Sequence, residues 1–91
     1  MEFEWDEVKA AGNRKKHKVS FEEAATVFGD LLSRTFTDPD HSDNEDRSIT
    51  IGTSDQGRTL IVSHTSRGGR IRIISARRAT RGERKAYEEE A

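Results

Sequence analysis

The sequence predicts an α+β domain: two helices, then an antiparallel sheet, then a closing helix. Three observations carry this. Ser20 and Glu23 have capping-box spacing, and Phe21, Ala24, Ala25 and Phe28 then recur at i, i+3, i+4 and i+7, the spacing of one helix face. Three later segments alternate apolar and polar residues and are separated by short glycine-containing turns, as in a strand meander. Thr80 and Glu83 then repeat the capping-box spacing. Helices before and after a run of strands make the class α+β.

In chain order, residues 3–5 alternate like a short strand. Asp6 caps a helix over 7–17, with Val8, Ala11 and Gly12 on one face. The second helix follows Ser20 and ends at Gly29-Asp30. Residues 33–37 read as a strand, and residues 38–46 as an acidic loop. Strands follow at 47–53, 58–65 and 70–77, with turns at Asp55-Gln56-Gly57 and Ser66-Arg67-Gly68-Gly69. Strict alternation puts Arg47, Ile49 and Ile51 on one face, and Arg58, Leu60, Val62 and His64 on one face. It puts Ile71, Ile73, Ser75 and Arg77 opposite Arg72, Ile74, Ala76 and Arg78. The strands over 58–65 and 70–77 have apolar residues on both sides and are expected to be central. Ala79, Ala86 and Tyr87 are the apolar members of the last helix.

The 91 residues suffice for a single domain, read as spanning 1–91. The chain has no cysteine, so thiol nucleophiles, disulfides and cysteine zinc sites are excluded. No apolar run reaches the ~20 residues of a membrane span. The opening Met-Glu-Phe-Glu-Trp-Asp is acidic where a secretory signal would be basic. A soluble cytoplasmic protein is expected, with no membrane partner.

The net charge of −1 hides an asymmetry. Residues 1–46 carry 6 basic and 12 acidic side chains, and residues 47–91 carry 10 basic and 5 acidic. In the second half every basic residue but Lys85 is arginine. Arginine presents a planar fork of donors matched to phosphate and keeps its charge. The second half is therefore expected to face a polyanion. Metal-free RNA cleavage needs a base for the 2′-hydroxyl, cations for the transition state and an acid for the leaving oxygen. Arg67, Arg77 and Arg84 could supply charge, and Glu83, Tyr87, His17 or His64 proton transfer. Each has a plainer reading. Glu83 reads equally as the cap partner of Thr80 alone, Tyr87 as a core anchor, and His64 as an interior side chain. For His17 with Arg14, Lys15 and Lys16 the plainer reading is an answer to the helix dipole. His17, His41 and His64 are too scattered for a metal site, and no cofactor is implied.

The string also resembles a known family. Residues 3–6 (Phe-Glu-Trp-Asp), Lys9, Asn13 and the run from Lys16 through Ala24 resemble the opening of BrnT-type toxins. So do Val27-Phe28, His41-Ser42, Glu45-Asp46-Arg47, Gly57-Arg58 and Thr65-Ser66-Arg67. The fullest match runs from Arg72 through Thr80, then Glu83-Arg84 and Tyr87-Glu88. The resemblance implies a small RelE-like fold and a ribonuclease that halts translation. It also implies a BrnA-type antitoxin that masks the toxin and is itself the binder of operator DNA. Family polar positions fall on Lys16, His17, Arg58, Arg67, Arg77, Glu83, Arg84 and Tyr87. Together with the reading of the residues, this gives Arg67 and Arg77 as transition-state contacts. Glu83, Tyr87 and His17 are the proton-transfer candidates. Lys15, Lys16, Arg58, Arg72, Arg78 and Arg84 are expected to hold the RNA backbone. The acidic residues 38–46, or the helical face, are expected to meet a basic antitoxin. Two departures stand out: Lys18 replaces a glycine usual after Lys-His, and Asp30-Leu31 replaces Asp-Pro. Both lie at helix ends.

Overall fold

The computed structural model describes residues 1–38 and 47–90. The loop expected to meet the antitoxin, with His41, therefore lies outside the described residues except for Asp38. The elements are β1 Glu2–Glu4, α1 Glu7–His17, α2 Phe21–Thr26, β2 Arg34–Thr37, β3 Arg47–Thr53, β4 Thr59–Arg67, β5 Arg70–Arg78 and α3 Arg81–Glu90. A short 3-10 turn, Val27–Gly29, extends α2. The strands form one sheet in the order β1-β5-β4-β3-β2.

The α+β class and the meander from β2 to β5 match the expectation. The first strand adds a feature: β1 runs parallel to β5, so the sheet is mixed. Parallel neighbours need a long crossover, and everything between β1 and β5 supplies it. The central positions expected for β4 and β5 also hold.

Helices α1 and α2 cover one face of the sheet. There Val19, Phe21, Ala24, Val27, Leu60, Val62, Ile73 and Ala76 form the main core. Helix α3 covers part of the other face, where Tyr87 packs on Ile51 and Ile61. Helix α1 does not present the expected face. Val8 is 82% exposed, and Ala11 and Gly12 are exposed too. Ala10, Asn13 and His17 face inward instead, at i, i+3 and i+7. One buried amide, not an apolar stripe, sets the orientation of this helix.

Asn13 faces the uncovered edge of β5. Strand β1 pairs only with Arg70, Ile71 and Arg72, so among the described residues β5 has no strand neighbour on that side further along. Asn13 donates from Nδ2 to the Ala76 carbonyl at 2.8 Å and accepts at Oδ1 from the Ala76 N–H at 3.0 Å. It also donates to the Val19 carbonyl at 2.9 Å. One side chain thus completes both backbone groups of a buried strand residue.

The strict alternation expected in β5 breaks at a bulge. Ser63 pairs with Ser75, but the next residue, His64, pairs with Ile73. Ile74 is the extra residue, and a bulge of this kind reverses the facing of everything beyond it. Ile73 and Ala76 consequently share the main core. Arg72 and Arg77 share the opposite face, where alternation would have separated them.

Lys18 caps α1 with φ 61° and ψ 31°, its N–H donating to the Arg14 carbonyl. It is the only described non-glycine residue with positive φ. The departure from glycine noted in the sequence therefore falls where the backbone is left-handed. At Gly52 a Cβ would lie 2.8 Å from Val27 Cγ1 and 2.9 Å from Ser33 Cβ. The absence of a side chain lets the turn after α2 press onto β3.

Two stability measurements check these points. Relief of left-handed strain at Lys18 is worth about 1–2 kcal/mol, offset by about 0.5–1 kcal/mol from the freer unfolded glycine chain. Lys18→Gly is expected to raise the unfolding free energy in urea by about 0.5–1 kcal/mol, set by these two terms. Asn13→Ala is expected to lower it by about 2–4 kcal/mol, because it strands the buried Ala76 N–H and carbonyl. A loss under about 1 kcal/mol would show that water replaces the amide there.

Candidate active site

The strongest cluster lies where β5 hands over to α3. The expected capping box forms in full: Glu83 N–H donates to Thr80 Oγ1 at 3.1 Å, and Thr80 N–H donates to Glu83 Oε1 at 2.8 Å. The same carboxylate receives a fork of donors from Arg77. Nη1 reaches Oε1 at 2.8 Å and Nη2 reaches Oε2 at 2.9 Å. The guanidinium and the cap hold the Glu83 carboxyl down at about 2. Glu83 in turn raises the Arg77 pKa. Glu83 is thus firmly ionised, a poor acid and, while paired, a weak base.

Tyr87 lies one turn further along α3, mostly buried. Its hydroxyl donates to Asp30 Oδ2 and lies 3.3 Å from Thr53 Oγ1. Asp30 also accepts from the N–H of Leu32 at 2.9 Å and of Thr53 at 2.8 Å. Burial pushes the Asp30 carboxyl up, but these donors outweigh it and leave it below the usual carboxylate range. Burial and the nearby Asp30 carboxylate push the Tyr87 hydroxyl up. Arg77, Glu83 and Tyr87 share one groove of about 300 Å³ with Arg34, Phe36, Ile49, Ile51, Ile61, Ala86 and Glu90.

The other expected residues divide into three groups. Arg67 does not join Arg77. Ile61 pairs with Arg77, and Arg67 lies six residues along β4, about 20 Å away at the rise of a strand. With Arg77 turned onto Glu83, the two do not form one phosphate site. Arg67 instead lies opposite Arg70, on the face that carries Arg72 and Arg77. Arg72 donates to Glu4 at 3.0 Å, so part of its fork is occupied.

Arg58, Arg78 and Arg84 line a second, more polar cavity, with Thr53, Gly57, Thr59, Ala79 and Glu88. Here α3 is the partition: Glu83, Ala86, Tyr87 and Glu90 look into the first groove, Arg84 and Glu88 into this one. Arg58 has a structural partner as well. It grips Glu23 through Nε at 2.9 Å and through Nη2, and Nη2 also donates to the Lys18 carbonyl at 3.2 Å. Glu23 is only 3% exposed and accepts from Ser54 Oγ at 2.7 Å. Arg58 first, then Ser54, holds its carboxyl below the usual range despite burial. The capping box expected at Ser20 is therefore half formed: Ser20 Oγ accepts from Glu23 N–H, while the carboxylate turns to Arg58.

Lys15, Lys16 and His17 lie in the last turn of α1, on the opposite side of the sheet from the Arg77 groove. The structure does not bring His17 to Glu83 or Tyr87. His64 takes its plainer reading. It is buried on the main-core side, 2.7 Å from Thr50 Oγ1 through Nε2 and edge-on to Phe28. Burial lowers its pKa. Among the described residues no three His, Asp or Glu side chains converge as a metal site would require. No helix among them is long and apolar enough to cross a membrane.

A profile of the family described as the ribonuclease toxin, BrnT, of type II toxin–antitoxin systems matches residues 5–83. The chain belongs to the BrnT family. Membership in a type II toxin–antitoxin family implies an antitoxin partner. The fold of this BrnT-family chain is similar to the crystal structure of the Brucella abortus ribonuclease toxin BrnT. The TM-score is 0.69 at 25% identity, over 89% of this chain and 99% of that one. Comparison with curated proteins gives no match.

Sequence reasoning missed Asp30 and Thr53 as partners of Tyr87 in this BrnT-family chain. Asp30 reads from sequence only as a helix terminator. A signal was present in Gly52, whose missing side chain lets the Asp30 turn approach β3. Glu23 was visible only as a cap residue, because its partner lies 35 positions away.

Acid titration tests the Glu83 tether. Its folded pKa is depressed from 4.5 to about 2, so its contribution is fully present above pH 4.5 and is lost as pH falls towards 2. Wild-type stability is expected to fall more steeply across that window than that of Glu83→Gln. Parallel curves in urea titrations from pH 6 to 2 would show that the pair contributes nothing.

Proposed function

We propose that this chain is a metal-independent endoribonuclease that cleaves RNA and so inhibits translation. A BrnA-type antitoxin encoded beside it neutralises it and carries the contact with operator DNA. The observation that carries this reading is the fork of Arg77 on Glu83, pinned by a complete capping box at the mouth of an open groove. Arg77 keeps its charge, is half-exposed and presents a geometry suited to a phosphodiester.

The groove also supports a sequence of events. A phosphate entering it competes with Glu83 for the Arg77 guanidinium. As Arg77 turns to the phosphate, Glu83 loses the main cause of its low pKa and becomes a stronger base. It then takes the 2′-hydroxyl proton while the 2′-oxygen attacks phosphorus. Arg77 balances the added negative charge. The P–O5′ bond breaks, the leaving oxygen takes a proton from water, Glu83 returns its own proton to solvent, and a 2′,3′-cyclic phosphate remains.

Tyr87 acts mainly as a positioning residue, since its hydroxyl is committed to Asp30. Arg72 and Arg67 hold the RNA backbone further along the same sheet face, and Arg58, Arg78 and Arg84 hold it beyond α3. Such contacts fix register without reading bases. Lys15, Lys16 and His17 add charge from the far side and take no part in the bond-breaking step.

Cleavage of end-labelled RNA by the purified chain in EDTA, alone and with translating ribosomes, tests this. Cleavage with cyclic phosphate ends is expected, reduced about 10²–10³-fold by Arg77→Ala, the scale of losing one transition-state contact. Salt-sensitive RNA binding without cleavage in either setting would instead make the chain a non-catalytic RNA-binding module.

A further inference from the structure

Strand β2 ends the sheet, and among the described residues no strand pairs with its outer edge. An open edge offers a ladder of backbone groups to another chain, and stable monomers usually blunt it with charge, proline or a cover. Here the one charged residue of β2, Arg34, is paired with Glu90, and exposed apolar side chains lie beside the edge. Leu31 is 99% exposed, Leu32 54% and Phe36 54%, and every residue of β2 is exposed. The other exposed large apolar residues, Met1 and Val8, belong to the β1 and α1 end of the chain.

Phe36 also opens onto the candidate active site. It pairs across the sheet with Ile49 and lines the same groove as Ile51, Ile61, Tyr87, Arg77 and Glu83. The open edge and the catalytic groove are thus one continuous surface.

We propose that the β2 edge is the docking site of the antitoxin, which adds an extended segment as a sixth strand. The proposal rests on the antitoxin reading above. The segment has apolar side chains at alternate positions. One packs over Phe36 and enters the groove, and its flank covers Leu31 and Leu32. Strand addition of this kind takes affinity from the backbone ladder and specificity from alternate side-chain pockets. The antitoxin is the occupant for a functional reason. A neutralising partner must deny RNA access to Arg77, and a strand on β2 does so through the shared groove without touching Arg77. A second copy of this chain paired edge to edge is the competing occupant.

The test uses the full chain with the antitoxin co-expressed from its own operon. Hydrogen exchange is followed at residues 31–37, and affinity is measured for the native chain, for Leu32→Glu combined with Phe36→Lys, and for Val8→Glu on α1. Antitoxin binding is expected to protect residues 31–37. The double variant is expected to bind at least about tenfold more weakly, as when central apolar contacts of an interface are removed, and Val8→Glu unchanged. The exchange measurement needs no variant, so it stands even if the double variant folds poorly. Tight antitoxin binding with no protection at 31–37 overturns the docking site alone. Concentration-dependent protection of 31–37 in the chain by itself gives the edge to a second copy and overturns it too. No antitoxin binding at all overturns the antitoxin reading and this site with it. None of these readouts depends on RNA cleavage.

Discussion

The structure depends first on how the outer edge of β5 is closed. This strand carries Arg72, Arg77 and Arg78 and leads directly into α3, yet its neighbour β1 covers only its first three residues. Past that point the backbone would be an open edge beneath a helix, where unpaired polar groups are costly. Asn13 fills the gap with a side-chain amide that mimics a strand neighbour at Ala76. The same contact fixes α1 against the sheet, since α1 brings little apolar surface of its own. One amide thereby sets the lie of a helix and closes the strand edge next to the arginine that follows Ala76.

Two carboxylates do similar work at longer range. Glu23 ties α2 to the start of β4 through Arg58 and to the preceding turn through Ser54. Asp30 ties the turn after α2 to β3 and, through Tyr87, to α3. A chain with 31% hydrophobic residues has limited core to stabilise it. A buried charge left unpaired would be strongly destabilising, so each tie holds its partners in one arrangement. Asp30 matters most for the site. It anchors Tyr87, Tyr87 anchors α3, and α3 carries Glu83 to Arg77.

Local pattern was the legible part of this sequence. The two capping-box positions, the meander with its glycine turns and the interior place of His64 all follow from spacings of a few residues. Partners that meet across the fold were not legible. Glu23 looks the same whether its carboxylate returns to its own helix or meets an arginine on β4, and only the sheet register decides. The face of Arg77 was misassigned relative to Arg72 because a bulge leaves no mark in composition: Ile74 is as good a strand residue as its neighbours. The distance between Arg67 and Arg77, by contrast, is contained in the hairpin pattern, with Arg67 at its turn and Arg77 at the far end of the next strand. Both stand near strand ends, but at opposite ends of the β4–β5 hairpin. The family resemblance marked Asn13 without revealing its purpose, since a polar residue in an amphipathic helix reads as surface.

The separation of Arg67 from Arg77 changes how the arginines are to be understood. Two arginines whose backbones stand about 20 Å apart, the rise of six strand residues, with Arg77 turned onto Glu83, do not form one transition-state site. They can hold one strand of RNA at two points along its backbone. The bulge at Ile74 makes that geometry available, because it turns Arg72 onto the same face between them. On the proposed reading the far arginines contribute to affinity and register, while the bond-breaking step is confined to the groove beside α3. That confinement gives the edge strand its leverage. A partner laid along β2 need not cover the whole basic face, because occupying the groove at Phe36 closes it over the Arg77–Glu83 pair.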